Sequence, residues 1–217
     1  AGAATAADIT AIEAANGTGT INGAALTAIT GTAAAVVQAI ADLDTDPTNF
    51  NSTLSAGTAA AADITAIEAA NGTGTINGSA LTAINGTAAA VVQAIADLDT
   101  DPTNFNSTLT GVATATDITA IEAANGTGTI DGSALTAING TYAEIAQALA
   151  DLDTDPTNFN STLTAGAENA ADITALEAAN GSGTINGSAL TAINGTAAAV
   201  VQAIADLDTD PTNFNST

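Results

Sequence analysis

The sequence predicts an α/β tandem-repeat solenoid in which each coil of 26 to 29 residues carries one short helix and one short strand. Three observations predict it. The string DITAIEAAN begins at Asp8, Asp63 and Asp117 and recurs as DITALEAAN at Asp172, at spacings of 55, 54 and 55 residues. Each repeat divides into two related halves, because a glycine opens a new segment at positions 31, 57, 86, 111, 140, 166 and 195. Within each half, apolar residues at helical spacing give way to a short Thr/Asn-rich stretch. The repeats fall at 1–55, 56–109, 110–164 and 165–217, the last two residues short, and are expected to form one continuous solenoid cut from a longer array. The absence of methionine fits a piece of a longer chain.

The first half of each repeat reads as a helix because Ile64, Ile67 and Ala70 recur on one face. Thr5-x-x-Asp8 and Thr114-x-x-Asp117 supply its start, as capping boxes with Asp in place of Glu. Asn71-Gly72 stops it, since Gly tolerates the left-handed conformation that ends helices. The stretch GTINGSALTAI then reads as a brief strand between Gly and Asn turns. In the second half, Val91, Ile95 and Leu98 mark a helical face that Pro102 closes, and TNFNSTL reads as the next strand. The third copy keeps that face with Ile145 and Leu149, while Ala88 and Ala90 become Tyr142 and Glu144. Strands pair at about 4.8 Å but helices pack at roughly 8–10 Å, a mismatch that Ala-rich helices reduce. An all-β solenoid, with the Ala segments as arcs, is the alternative fold.

Composition excludes several kinds of chemistry. The 217 residues carry 23 acidic side chains and no Lys, Arg or His, a formal charge of −23, and no Cys, Met or Trp. Zinc sites, thiol nucleophiles, disulfides and imidazole catalysis are therefore ruled out. Nothing can neutralise phosphate, so nucleic acid and anionic membranes are not expected partners. No run approaches the roughly 18 apolar residues of a membrane span. Paired carboxylates could serve as acid and base, yet they recur in identical copies with no distinct pocket, and no enzyme is expected.

The strongest local signal is Asp-Leu-Asp-Thr-Asp-Pro. It places alternating carboxylates at Asp42, Asp44 and Asp46, at Asp97, Asp99 and Asp101, at Asp151, Asp153 and Asp155, and at Asp206, Asp208 and Asp210. These resemble the opening of a calcium loop, and Asn49 and Asn51 or backbone carbonyls could complete an oxygen shell for Ca²⁺. The EF-hand pattern fails beyond that, because Pro47 stands where the loop wants Gly and Thr53 stands at its twelfth position. The competing reading is a solvated turn, with Asp capping its own backbone and Pro ending the helix.

Asn-x-Ser/Thr occurs at Asn16, Asn51, Asn71, Asn77, Asn85, Asn106, Asn125, Asn139, Asn160, Asn180, Asn186, Asn194 and Asn215. In a secreted protein these are glycan acceptors, although Asn-Gly also arises as a turn dipeptide. Asn51, Asn106, Asn160 and Asn215, in NST, lack that turn explanation and are the better candidates. Thr-Gly-Thr at Thr18/Thr20, Thr73/Thr75 and Thr127/Thr129, with Ser182/Thr184 in the fourth copy, reads as a turn or as a ladder of hydroxyls able to meet ice.

The pattern AADITAIEAANGTGTINGSALTAINGTAAAVVQAI resembles the Ala/Thr/Gly-rich tandem repeats of giant extracellular surface and adhesin proteins of aquatic bacteria. The resemblance spans the chain but not DLDTDPTNFN, and it implies an acidic array outside the cell or on its surface. The expected function is a structural segment of an extracellular fibre, sheath or surface array, glycosylated and calcium-stabilised, assembling head-to-tail or side-by-side with itself. The alternative is a calcium-dependent adhesin or binding repeat that meets carbohydrate, mineral or ice.

Overall fold

Short helices and strands alternate throughout the computed structural model, which describes residues 2–217. The chain forms two compact units. The first comprises residues up to Gly86 with Ala90–Ser107 and Ala124–Gly128, and the second Thr87–Ala89, Thr108–Ala123 and Thr129–Thr217.

The first unit runs β1 (Gly2–Thr5), α1 (Ala6–Asn16), β2 (Leu26–Gly31), α2 (Ala33–Ala41), β3 (Asn51–Leu54), β4 (Gly57–Ala60), α3 (Ala61–Ala70), β5 (Ile76–Asn77) and β6 (Leu81–Asn85), and holds most of α4 (Ala88–Asp97). The second holds most of β7 (Ser107–Thr114) and α5 (Ala115–Ala124), then β8 (Ile130–Asn139), α6 (Tyr142–Asp151), β9 (Ser161–Thr162), β10 (Gly166–Asn169), α7 (Ala170–Ala179), β11 (Ile185–Asn186), β12 (Leu190–Asn194) and α8 (Ala197–Asp206). The sheets are small and separate. In the first unit β1-β2-β3-β5 form one sheet and β4-β6 another; in the second β7-β8, β9-β11 and β10-β12 pair.

Pairing is parallel between successive helix–strand segments: Gly57 faces Leu81, Ser52 faces Ile76 and Ala28 faces Asn51. Side chains alternate across these strands, so Ser52 and Leu54 point inward while Asn51 and Thr53 point out. The strands Gly57–Ala60 and Gly166–Asn169 lie in stretches that the sequence marked only as segment openings, and Gly2–Thr5 is a strand at the matching place in the first repeat.

Helix faces follow the apolar pattern where it is strongest. Ile64 and Ile67, Ile118 and Ile121, and Ile173 and Leu176 are buried on α3, α5 and α7. On the other helices the buried partner of Val36, Val91 and Ile145 is Ala39, Ala94 and Ala148. Ile95 and Leu149, expected on the core face, are only half-buried, as is Ile40. Packing is also close at the helix starts: a Cβ on Gly31 would stand 3.0 Å from the Ala6 Cβ, and one on Gly86 3.3 Å from that of Ala61. Such spacing accepts Ala and excludes larger side chains. The turns after these helices bury Leu43, Leu98 and Leu152, and also Phe50, Phe105 and Phe159. Each buried Phe contributes about 1.5–3 kcal/mol of transfer free energy.

The helix boundaries have local causes. Thr5 accepts from the Asp8 N–H at 3.1 Å and donates to the Asp8 carboxylate at 2.8 Å, as expected of the cap. Thr114 accepts from Asp117 N–H at 3.2 Å, whereas Ala60 gives α3 no side-chain cap. Gly17, Gly72, Gly126 and Gly181 take φ near +70° after the helices, where a Cβ would be strained.

Most close approaches in the chain join residues distant in sequence, and they build tightly packed α/β units. This overturns the extended, fibrous arrangement expected from the repeats. The reading as a segment of an extracellular fibre, sheath or surface array is corrected accordingly, and the filament and adhesin readings fall with it. Among the described residues no helix is long and apolar enough to cross a membrane.

Candidate functional site

The acidic turns divide their carboxylates among three directions. In the first, Asp42 closes α2 and accepts from Gln38 Nε2 at 2.7 Å, one helical turn back. Asp44 reaches the preceding strand segment, where its Oδ2 accepts from the Ile21 N–H at 2.6 Å. Its own N–H donates to the Ile21 carbonyl at 3.0 Å, so one residue holds both main-chain groups of Ile21. Asp46 is exposed. The same tie recurs from Asp99 to Ile76 at 2.7 Å, Asp153 to Ile130 at 2.8 Å and Asp208 to Ile185 at 2.8 Å. Leu43, between the first two acids, and Pro47, after the third, are buried.

Gln93, Gln147 and Gln202 hold Asp97, Asp151 and Asp206 as Gln38 holds Asp42. In the second unit the other oxygen is also taken, by Thr119 at 2.8 Å on Asp151 and Thr174 at 2.6 Å on Asp206. In the first unit the Oδ2 atoms of Asp42 and Asp97 are covered and make no hydrogen bond. Asp101, Asp155 and Asp210 are exposed like Asp46. Desolvation nevertheless holds the Asp101 carboxyl above its ordinary pKa. Among the described residues no group of three or more acidic side chains is placed to hold a metal ion.

A second set of ties comes from Asn-Phe-Asn. Asn49 Oδ1 accepts from both the N–H and the hydroxyl of Thr73, at 2.8 and 2.9 Å. Asn104 does the same for Thr127, and Asn158 for Ser182. Two residues on, Asn51 accepts from Thr75 N–H at 3.0 Å and Asn160 from Thr184 N–H at 2.9 Å. Thr73, Thr127 and Ser182 of the Thr-Gly-Thr-type motifs thus spend their hydroxyls internally. Between the Asn ties, Gly74, Gly128 and Gly183 pass so close to the carbonyls of Phe50, Phe105 and Phe159 that a Cβ would lie far inside van der Waals contact.

The acceptor asparagines separate by burial. Asn71, Asn125 and Asn180 are fully buried, with Nδ2 donating to the carbonyls of Gly74, Gly128 and Gly183 at 3.2, 3.2 and 3.0 Å. The side-chain amides of these three are thus enclosed by the fold and bonded within it. Asn51, Asn106, Asn160 and Asn215 are exposed. Asn16, Asn77, Asn85, Asn139, Asn186 and Asn194 are half-exposed, and Asn77 and Asn186 fold onto the N–H of Ser79 and Ser188 at 3.0 Å.

Sequence reasoning gave Asn49 only a share in an ion shell and did not single out Asn104 or Asn158. The signal was the i, i+2 spacing in Asn-Phe-Asn, which puts both amides on one side of an extended chain with Phe on the other. One further acid departs from the repeat: Glu168 is nearly buried, and its Oε1 accepts from the Tyr142 N–H at the start of α6 at 3.1 Å. No family model, curated protein or solved structure matches the chain.

Proposed function

We propose that the chain is a non-catalytic structural module, a tandem-repeat solenoid whose helix–strand coils lock onto one another within each unit and carry a rigid, acidic, hydroxyl-rich surface. The observation that carries this reading is the fate of the Asp and Asn side chains best suited to chemistry. Asp44, Asp99, Asp153 and Asp208 hold main-chain amides of the preceding coil, and Asn49, Asn104 and Asn158 hold those of the next. A carboxylate accepting a backbone N–H is a charge-assisted bond, and a chain with no cationic side chain has only such neutral donors for its anions. The parallel register, repeated between successive segments, further supports a solenoid arrangement inside each unit.

Two substitutions at Asp99 test the reading. Asp99→Asn keeps an acceptor for the Ile76 N–H and should unfold close to the wild-type midpoint. Asp99→Ala strands that amide and should cost about 1–3 kcal/mol in denaturant unfolding. Calcium should leave all three midpoints in place. A calcium-dependent stabilisation of the wild type, lost equally in both variants, would make the turn a cation site and overturn the tie.

A further inference from the structure

One position in the repeat holds an amide in some copies and an acid in another. Asn77 and Asn186 each precede a glycine, and Asp131 stands at the same repeat position before Gly132. All three fold into one turn. Asn77 Oδ1 accepts from Ser79 N–H and Asn186 Oδ1 from Ser188 N–H, both at 3.0 Å, and Asp131 Oδ1 accepts from Ser133 N–H at 2.9 Å. The following glycines, Gly78, Gly132 and Gly187, donate to the carbonyls of Thr100, Thr154 and Thr209 at 2.8, 2.8 and 2.9 Å. The Ser133 hydroxyl and N–H hold the Asp131 carboxyl below its ordinary pKa, so this turn favours the ionised acid. Asn71, Asn125 and Asn180 also precede glycines, but they are fully buried and their Oδ1 atoms make no hydrogen bond. An acid there would set a carboxylate oxygen against the carbonyl of Gly74, Gly128 or Gly183, which the Nδ2 now holds. The chain has no cationic side chain to pair with it.

We propose that Asn77 and Asn186 are sites of spontaneous deamidation, at which the folded protein converts an amide to a carboxylate and keeps its turn. The Gly78 main-chain nitrogen attacks Asn77 Cγ, its proton leaves with the side-chain nitrogen as ammonia, and a succinimide ring forms. Water then opens the ring, at one carbonyl to give aspartate and at the other to give isoaspartate. Glycine leaves this attack unhindered because it has no side chain. Ring closure requires the Gly78 N–H to leave the Thr100 carbonyl, so its rate follows local opening of the turn. At Asn71 it must also expose a fully buried amide at the end of α3, which costs more. The aspartate product is the residue that the third repeat already carries. The isoaspartate product adds a carbon to the main chain and breaks the register that Asn77 shares with Thr53 and Asn186 with Thr162.

Wild-type protein incubated for weeks at mildly alkaline pH, folded and in urea, supplies the test. Digestion with pepsin in acid stops the reaction, and tandem mass spectrometry locates each converted asparagine. In the folded protein Asn77 and Asn186 should convert ~10-fold or more faster than Asn71, Asn125 and Asn180. In urea all five should convert at matching rates, since glycine follows each of them. Asn77→Asp should unfold within about 2 °C of the wild type. Asn71→Asp should melt ~5 °C or more lower, or fail to fold. Folded protein that converts Asn71 as fast as Asn77, or that leaves Asn77 and Asn186 intact while urea converts them, would overturn the proposal. So would an Asn77→Asp loss as large as that of Asn71→Asp. The Asp99 variants test the coil ties and not this chemistry, so either can fail alone.

Discussion

The turns and the helix N-termini answer the same physical problem in opposite ways. Every copy of Asp-Leu-Asp-Thr-Asp-Pro-Thr-Asn-Phe-Asn is identical, whereas Tyr142, Glu144 and Glu168 stand where the second copy has Ala88, Ala90 and Ala59. In the turn, side-chain oxygens meet particular amides of another segment across 23 or 24 residues, and a glycine passes against a carbonyl with no room to spare. At a helix N-terminus several N–H groups are free and the dipole favours negative charge, so new carboxylates can be absorbed. In α2 the cap is Thr32 alone, accepting from Ala35 N–H at 3.2 Å. In α6, Thr141 and Glu144 form a reciprocal capping box and Glu168 takes the Tyr142 N–H. An acid can be added at a helix start because an unpaired donor is already waiting; an acid in the turn already has its partner.

The sharpest way to break this comparison is to crowd the turn. Gly74→Ala forces a methyl against the main-chain Phe50 carbonyl, which unlike a side chain cannot swing aside. The expected loss is about 3 kcal/mol or more, at the severe end for a point substitution. Gly19→Ala, at the equivalent repeat position, would bring its Cβ no nearer than 3.2 Å to the Asn16 carbonyl and should cost no more than about 1 kcal/mol. Equal losses in denaturant unfolding would mean that close approach of the neighbouring carbonyl does not govern this position.

That contrast also marks what could be read from the sequence. The repeats, the Ile64/Ile67 face and the Gly72 turn were legible because each rests on local spacing or on a backbone angle. The strand Gly57–Ala60 was not, since Gly-Thr-Ala-Ala has no apolar alternation and becomes a strand only by pairing with Leu81–Asn85. Placing Ile95 in the core failed because side-chain size was taken as a guide to burial, while the buried face of that helix runs through Val91 and Ala94. The Asp clusters were visible as clusters, but their directions depend on register. Asp99 faces Ile76 and Asn49 faces Thr73 only once parallel pairing between successive segments is known.

Removing caps sharpens the comparison from the other side. Thr32→Ala takes the side-chain cap from α2 and should cost about 1–2 kcal/mol. Thr141→Ala should cost less, about 0.5–1 kcal/mol, because Glu144 still accepts from the residue-141 N–H and Glu168 from Tyr142. Urea midpoints of the two variants decide this. A larger loss at Thr141 would mean that the added carboxylates contribute nothing once the hydroxyl is gone.

The smallest effect is the most specific to Glu168. Burial pushes its carboxyl above the ordinary glutamate pKa, the Asp172 and Glu144 charges push it further, and the Tyr142 N–H partly opposes them. A carboxyl whose folded pKa is raised keeps its proton in the folded chain after the unfolded chain has lost it. Its contribution to stability is therefore complete below the unfolded value, about 4.3, and is lost as pH rises through the higher folded value. Glu168→Gln retains an oxygen for the Tyr142 N–H and removes the titration. The variant should match the wild type at low pH and exceed it in thermal midpoint above that window, by a margin smaller than the cap effects. No comparable gain is expected from Glu144→Gln, whose exposed carboxylate belongs to the capping box. A gap between Glu168→Gln and wild type that stays constant across the window would show that the buried charge is not what separates this helix start from that of α2.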